Sequence, residues 1–124
     1  METKVKVFVS YTLRDNLIDG EFLSQLELVL KTSFAVFIDY LHNDSVEKQK
    51  RIEIELANSD FILLIKTNKT YNSEWVLKEI NLAKELKIPI FEFYFEDLIN
   101  NNFKSIKSNY KRWLVMKKLK FKQS

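Results

Sequence analysis

The stretch of this 124-residue chain best equipped for chemistry is Tyr71-Asn72-Ser73-Glu74-Trp75-Val76-Leu77-Lys78-Glu79-Ile80. Val76, Ile80 and Ala83 recur at i, i+4 and i+7, and Leu86 continues the stripe, so the spacing predicts a helix over 73–87. Ser73 is an N-cap residue type, and Glu74 suits the positive end of the helix dipole. Trp75 and Glu79, four residues apart, share a face beside the apolar stripe. An indole next to a carboxylate can receive a flat cationic heterocycle: the ring stacks on it, and the carboxylate stabilises developing positive charge. On spacing alone the commoner reading is plainer. Trp75 is then core filler, and Glu79 pairs with Lys78 or another surface lysine.

Composition removes many other chemistries. There is no cysteine, which excludes a disulfide scaffold and a cysteine zinc site. One histidine, His42, excludes a multi-histidine metal site. One glycine and one proline exclude glycine-rich phosphate loops. No apolar run approaches the ~18 residues of a membrane span, and no signal-peptide pattern opens the chain, so the expectation is a cytoplasmic protein with no membrane partner. Net charge is +3, unevenly spread: residues 104–124 hold eight basic residues and no acid, which leaves 12 basic and 17 acidic before them. A solvated, packed last helix with Ile106, Tyr110, Trp113 and Leu114 inward accounts for this better than a nucleic-acid arm.

Short apolar runs alternate with amphipathic segments. Strands are expected at Val5–Tyr11, Phe34–Asp39, Asp60–Lys66 and Ile88–Phe95, and helices at Leu17–Leu30, 45–58 and Ser73–Lys87. In 45–58, Ile52, Ile54 and Leu56 alternate with glutamates, a strand-like period. Parallel neighbours nevertheless require a crossover, so the segment is assigned as helix. Asn100-Asn101-Asn102 reads as a loop, and a short fifth strand around Trp113–Met116 is the alternative to a final helix. The order β-α-β-α-β-α-β implies a single α/β domain over residues 1–124. Its form is a flavodoxin-like, three-layer, doubly wound parallel sheet of four to five strands flanked by helices. Its chemistry belongs beyond the carboxyl ends of the strands, at Ser10–Asp15, Asp39–Ser45, Thr67–Ser73 and Glu96 onward. Lys66-Thr67 at the third strand's end lacks the acid of a response-regulator receiver. The loop after the first strand lacks the glycine of a flavodoxin, and no GxSxG elbow supports a triad through His42.

Five segments, in order, resemble the Toll/interleukin-1 receptor (TIR) domain family. Val7-Phe8-Val9-Ser10-Tyr11 with Asp15 resembles its first box. Val36-Phe37-Ile38-Asp39 is similar to its second strand and terminal aspartate. Ala57-Asn58-Ser59-Asp60 resembles the small-residue end before the third strand, Ser73-x-Trp75-Val76-x-x-Glu79-Ile80 the S-x-W box, and Ile88-Pro89-Ile90 the fourth strand. The likeness covers residues 4–95.

In TIR domains with enzymatic activity, the S-x-W glutamate cleaves NAD+ at the nicotinamide–ribose bond. The resemblance therefore implies Glu79 as the catalytic residue, with Trp75 lining the nicotinamide pocket. Ser10, Tyr11 and Arg14 would border ribose and phosphates, and Asp39 joins them as a substrate-binding residue. His42 is a candidate substrate contact, with plain loop polarity as its alternative. NAD+ would be the substrate, with no cofactor or metal. The products would be nicotinamide and ADP-ribose or a cyclic ADP-ribose isomer. The resemblance is strongest to stand-alone bacterial enzymes of antiphage defence (the Thoeris arrangement), in which the nucleotide product reaches a separate effector protein. Self-association is expected through the Tyr40–Ser45 loop, although this loop lacks the family's usual glycine. The alternative is a non-enzymatic TIR–TIR scaffold module.

Overall fold

The computed structural model describes residues 4–13 and 16–108. Its centre is a four-stranded, all-parallel sheet in the order β2-β1-β3-β4. The strands are β1 (Val5–Ser10), β2 (Phe34–Ile38), β3 (Phe61–Lys66) and β4 (Ile90–Tyr94). Between and after them lie α1 (Gly20–Leu30), α2 (Asp39–His42), α3 (Lys48–Ala57), α4 (Glu74–Glu85), α5 (Phe95–Asn100) and α6 (Lys104–Ser108). A 3₁₀ turn at Thr70–Asn72 leads into α4. The flavodoxin-like, doubly wound fold expected from the alternation is thus the observed one, with four strands among the described residues. Residues 109–124, including the Trp113–Met116 strand alternative and the inward Tyr110, Trp113 and Leu114, lie outside them.

Strand alternation sorts the core into two layers. Val5, Val7 and Val9 of β1, with Phe61, Leu63 and Ile65 of β3, face α1, α5 and α6 and meet Phe22, Leu26, Leu98 and Ile106. Phe8 and Ile62 point the other way, onto Ile52 and Leu56 of α3 and Ala83 of α4. Leu64 packs on Val76 and Ile80 of α4. β3 is buried along its first five residues because it is central and covered on both faces. In α3 only Ile52 and Leu56, four apart, are buried, while Ile54 is exposed. The crossover requirement therefore outweighs the apparent period of two.

Several boundaries differ from expectation, each for a local reason. α1 begins at Gly20 rather than Leu17, because the Asp19 carboxylate accepts from the Phe22 N–H at 2.9 Å and fixes the cap there. β4 starts at Ile90, after Pro89, and Phe95 opens α5 instead of extending the strand. α5 runs to Asn100, which shifts the expected asparagine loop by one residue, from 100–102 to 101–103. Residues 40–45 are only partly an open loop. Asp39–His42 form one helical turn, and Asn43 is buried, donating to the Asp39 carboxylate and to the Lys48 carbonyl. Tyr40 remains exposed, and its ring lies against Gly20, where an added Cβ would sit 3.0 Å from Cε1.

Candidate active site

Ser10 ends β1 on the same face as Phe8, the face covered by α3 and α4. It is 1% exposed, and its hydroxyl donates to Glu79 Oε1 at 2.7 Å. Glu79 reaches it because α4 is held in register by its cap: the Ser73 hydroxyl accepts from the Val76 N–H. The preceding turn is fixed in the same way. Thr70 is fully buried, and its hydroxyl accepts from the Thr67 N–H at 2.7 Å. Val76, Ile80 and Ala83 then point into the core, and Glu79, at the margin of that stripe, is carried in with them to 7% exposure.

A carboxylate placed there is costly to ionise. Burial pushes the Glu79 carboxyl up to about 7, the Ser10 hydrogen bond pulls against this, and the Asp39 charge reinforces it. At neutral pH it therefore exists in both forms. This is the range in which one carboxyl can stabilise a cation and then take a proton from water.

The bonded pair lies at an open cleft of about 520 Å³, whose walls include Val9, Tyr11, Asp39, Trp75 and Lys78. Trp75 is 40% exposed, so its ring is a wall and not core filler. The Tyr11 hydroxyl accepts from the Tyr40 N–H at 3.1 Å, tying the end of β1 to α2, and burial pushes its ionisation up to about 12. It is therefore a neutral hydroxyl at any physiological pH. Asp39 opens α2, and its carboxylate is held by the Asn43 amide at 2.6 Å. With Glu74 also on the wall, three carboxyls face this cleft, against one described cation, Lys78.

The structure thus brings Ser10, Tyr11, Asp39, Trp75 and Glu79 together. Arg14 lies outside the described residues. His42 is not among the residues lining this cleft; it lines a separate, smaller pocket beside β2 and α3. Its Nδ1 accepts from the Ile38 N–H at 2.9 Å, and its Nε2 meets the Glu27 carboxylate of α1. It ties α2 back to α1, for which a residue in a short polar loop carries no sequence signal. Sequence reasoning also passed over Lys78 and Thr12. Lys78 had a signal, since it sits one turn from Trp75 and beside Glu79. Among the described residues no cluster of three His, Cys, Asp or Glu is placed to hold a metal.

A family model described as "Thoeris protein ThsB, TIR-like domain" matches residues 8–100, a span containing every described residue of the cleft. No curated protein matches the chain.

Proposed function

The chain belongs to the TIR-like domain family of the Thoeris protein ThsB, and from that premise we propose that it cleaves NAD+ at the nicotinamide–ribose bond. The observation that carries the reading is the Glu79 carboxyl. It is buried at the strand-end crevice, bonded to Ser10 and beside an open tryptophan wall. The nicotinamide ring stacks on Trp75, and its ribose C1′ sits next to Glu79. The C1′–N1 bond breaks with its electron pair leaving on nicotinamide, which departs neutral. The positive charge passes to C1′ and its ring oxygen, where the Glu79 carboxylate stabilises it in a poorly solvated site. Water then adds to C1′ and gives its proton to Glu79, producing ADP-ribose. If an adenine nitrogen adds instead, the product is a cyclic ADP-ribose isomer. Ser10 holds the carboxylate in position, and Tyr11 offers a neutral hydroxyl to the sugar.

The setting we assign is antiphage defence, with the nucleotide product activating a separate effector and Tyr40–Ser45 joining copies of the chain. Nicotinamide release measured against pH tests the reaction. The ionised carboxylate is the active form, so the rate should climb through an apparent pKa near 7. A rate independent of pH from 5 to 8 would remove Glu79 from the chemistry.

A further inference from the structure

Lys78 is the one described cation on the cleft, and it makes no hydrogen bond or ion pair with another described residue. It also lines a second cavity, of about 580 Å³, between α3 and α4. The two cavities share Trp75, Lys78 and Glu79 and so open on the same stretch of α4. The second differs in character from the first. Ile52 and Leu56 form its floor, Leu82 and Leu86 one apolar side, and Gln49 and Asn81 supply amides at its edge. Glu53 and Glu85 also reach it and can accept hydrogen bonds.

From this arrangement we propose that the α3–α4 groove is an adenylate subsite and that Lys78 receives the phosphates at the junction of the two cavities. The proposal rests on the NAD+ reading above and names where the other half of the dinucleotide lies. An adenine ring is flat and apolar on its faces, with acceptor nitrogens and an amino donor on its edge. Apolar walls with amides and carboxylates at the rim match that pattern. A phosphate drawn further into the first cavity would approach Asp39 and Glu74 in addition to the shared Glu79, and they repel it. At the junction it meets a lysine that no described carboxylate neutralises. From Lys78 to Leu86, the residue that caps α4, the chain rises eight helical steps, about 12 Å, enough to lay a nucleoside along it.

Adenosine monophosphate tests this directly, since it contains the proposed subsite's ligand and no nicotinamide bond. Titrated into the isotopically labelled full chain and followed by NMR, it should give saturable shifts at the Gln49 and Asn81 side-chain amides. Lys78→Ala should weaken that binding at least about tenfold, and Lys78→Arg should restore most of it. Leu86→Glu, which puts a charge against the adenine face, should weaken it independently. Shifts confined to Ser10, Tyr11 and Asp39, or no saturable shift, overturn the subsite. So does a Lys78→Ala protein that binds as tightly as wild type. Absence of NAD+ cleavage defeats the proposed reaction instead, and leaves the titration readable.

Discussion

At the scale of the residue, the decisive feature is a carboxyl that folding makes hard to ionise. Glu79 rises from its ordinary 4.5 to about 7, so the folded state holds its proton more tightly than the unfolded one. Below about pH 4.5 both states are protonated and burial carries no ionic penalty. As pH rises from there to about 7, the unfolded chain loses its proton first and stability falls. Above 7 the penalty is constant, on the order of 3 kcal/mol. Glu79→Gln should therefore melt higher than wild type at pH 8 and lose that advantage towards pH 4, which thermal unfolding at the two pH values checks. Ser10→Ala removes the one contribution holding the Glu79 value down. The midpoint of the pH–rate profile should move upward, by about one pH unit or less. A downward movement would show that the hydroxyl does not act on the ionised form. The residue types at this site were legible in the S-x-W spacing, but the burial of Glu79 and its bond to Ser10, 69 positions away, were not. Helix spacing places Trp75 and Glu79 on one face and says nothing of which of them the sheet will cover.

At the scale of the element, the site depends on how α4 starts and on what covers the opposite face of the sheet. Replacing the cap by Ser73→Ala should cost about 1 kcal/mol in denaturant unfolding and loosen the first turn, which carries Trp75. On the far face, α5 and α6 bring Leu98, Phe103 and Ile106 into the core with Phe22. Ile106 is 2% exposed, so Ile106→Ala should destabilise by roughly 2–5 kcal/mol. Truncation after Asn102, which also removes Phe103, should lower the melting temperature more than either change alone. A truncated chain melting with wild type would make the basic segment a tail. The burial of Ile106 was legible because an apolar residue in a lysine-rich run has to go somewhere. α2 was not legible, since one helical turn is too short to show a period. Nor was α5, because Tyr94-Phe95 continues the alternation of β4 without interruption. In α2 the His42 ring holds the turn by reaching Glu27 and the Ile38 N–H, and α5 is closed by a backbone bond at its end, where the Phe103 N–H donates to the Leu98 carbonyl.

At the scale of the whole molecule, the strand order β2-β1-β3-β4 puts the chain reversal between β1 and β3, and the cleft opens above that switch point. The layout was legible because buried parallel strands read as unbroken apolar runs, and parallel neighbours demand crossovers. The cleft is open to solvent, Trp75 on its wall is exposed, and Tyr40, whose N–H donates to the cleft residue Tyr11, is exposed as well. A second copy seated through Tyr40–Ser45 would narrow the cleft and exclude water. Nicotinamide release per protomer should accordingly rise with protein concentration. A flat rate from nanomolar to high micromolar, with the protein monomeric throughout, would count against assembly. The measurement that bears most directly on the central claim is chromatography of the products after incubating NAD+ with wild-type and Glu79→Gln proteins at high concentration. Wild type should yield nicotinamide together with ADP-ribose or a cyclic isomer. Glu79→Gln, equally well folded, should yield none above background. Intact NAD+ with wild type, or a folded Glu79→Gln protein keeping more than about a tenth of wild-type turnover, a barrier change of only ~1.4 kcal/mol, would contradict it.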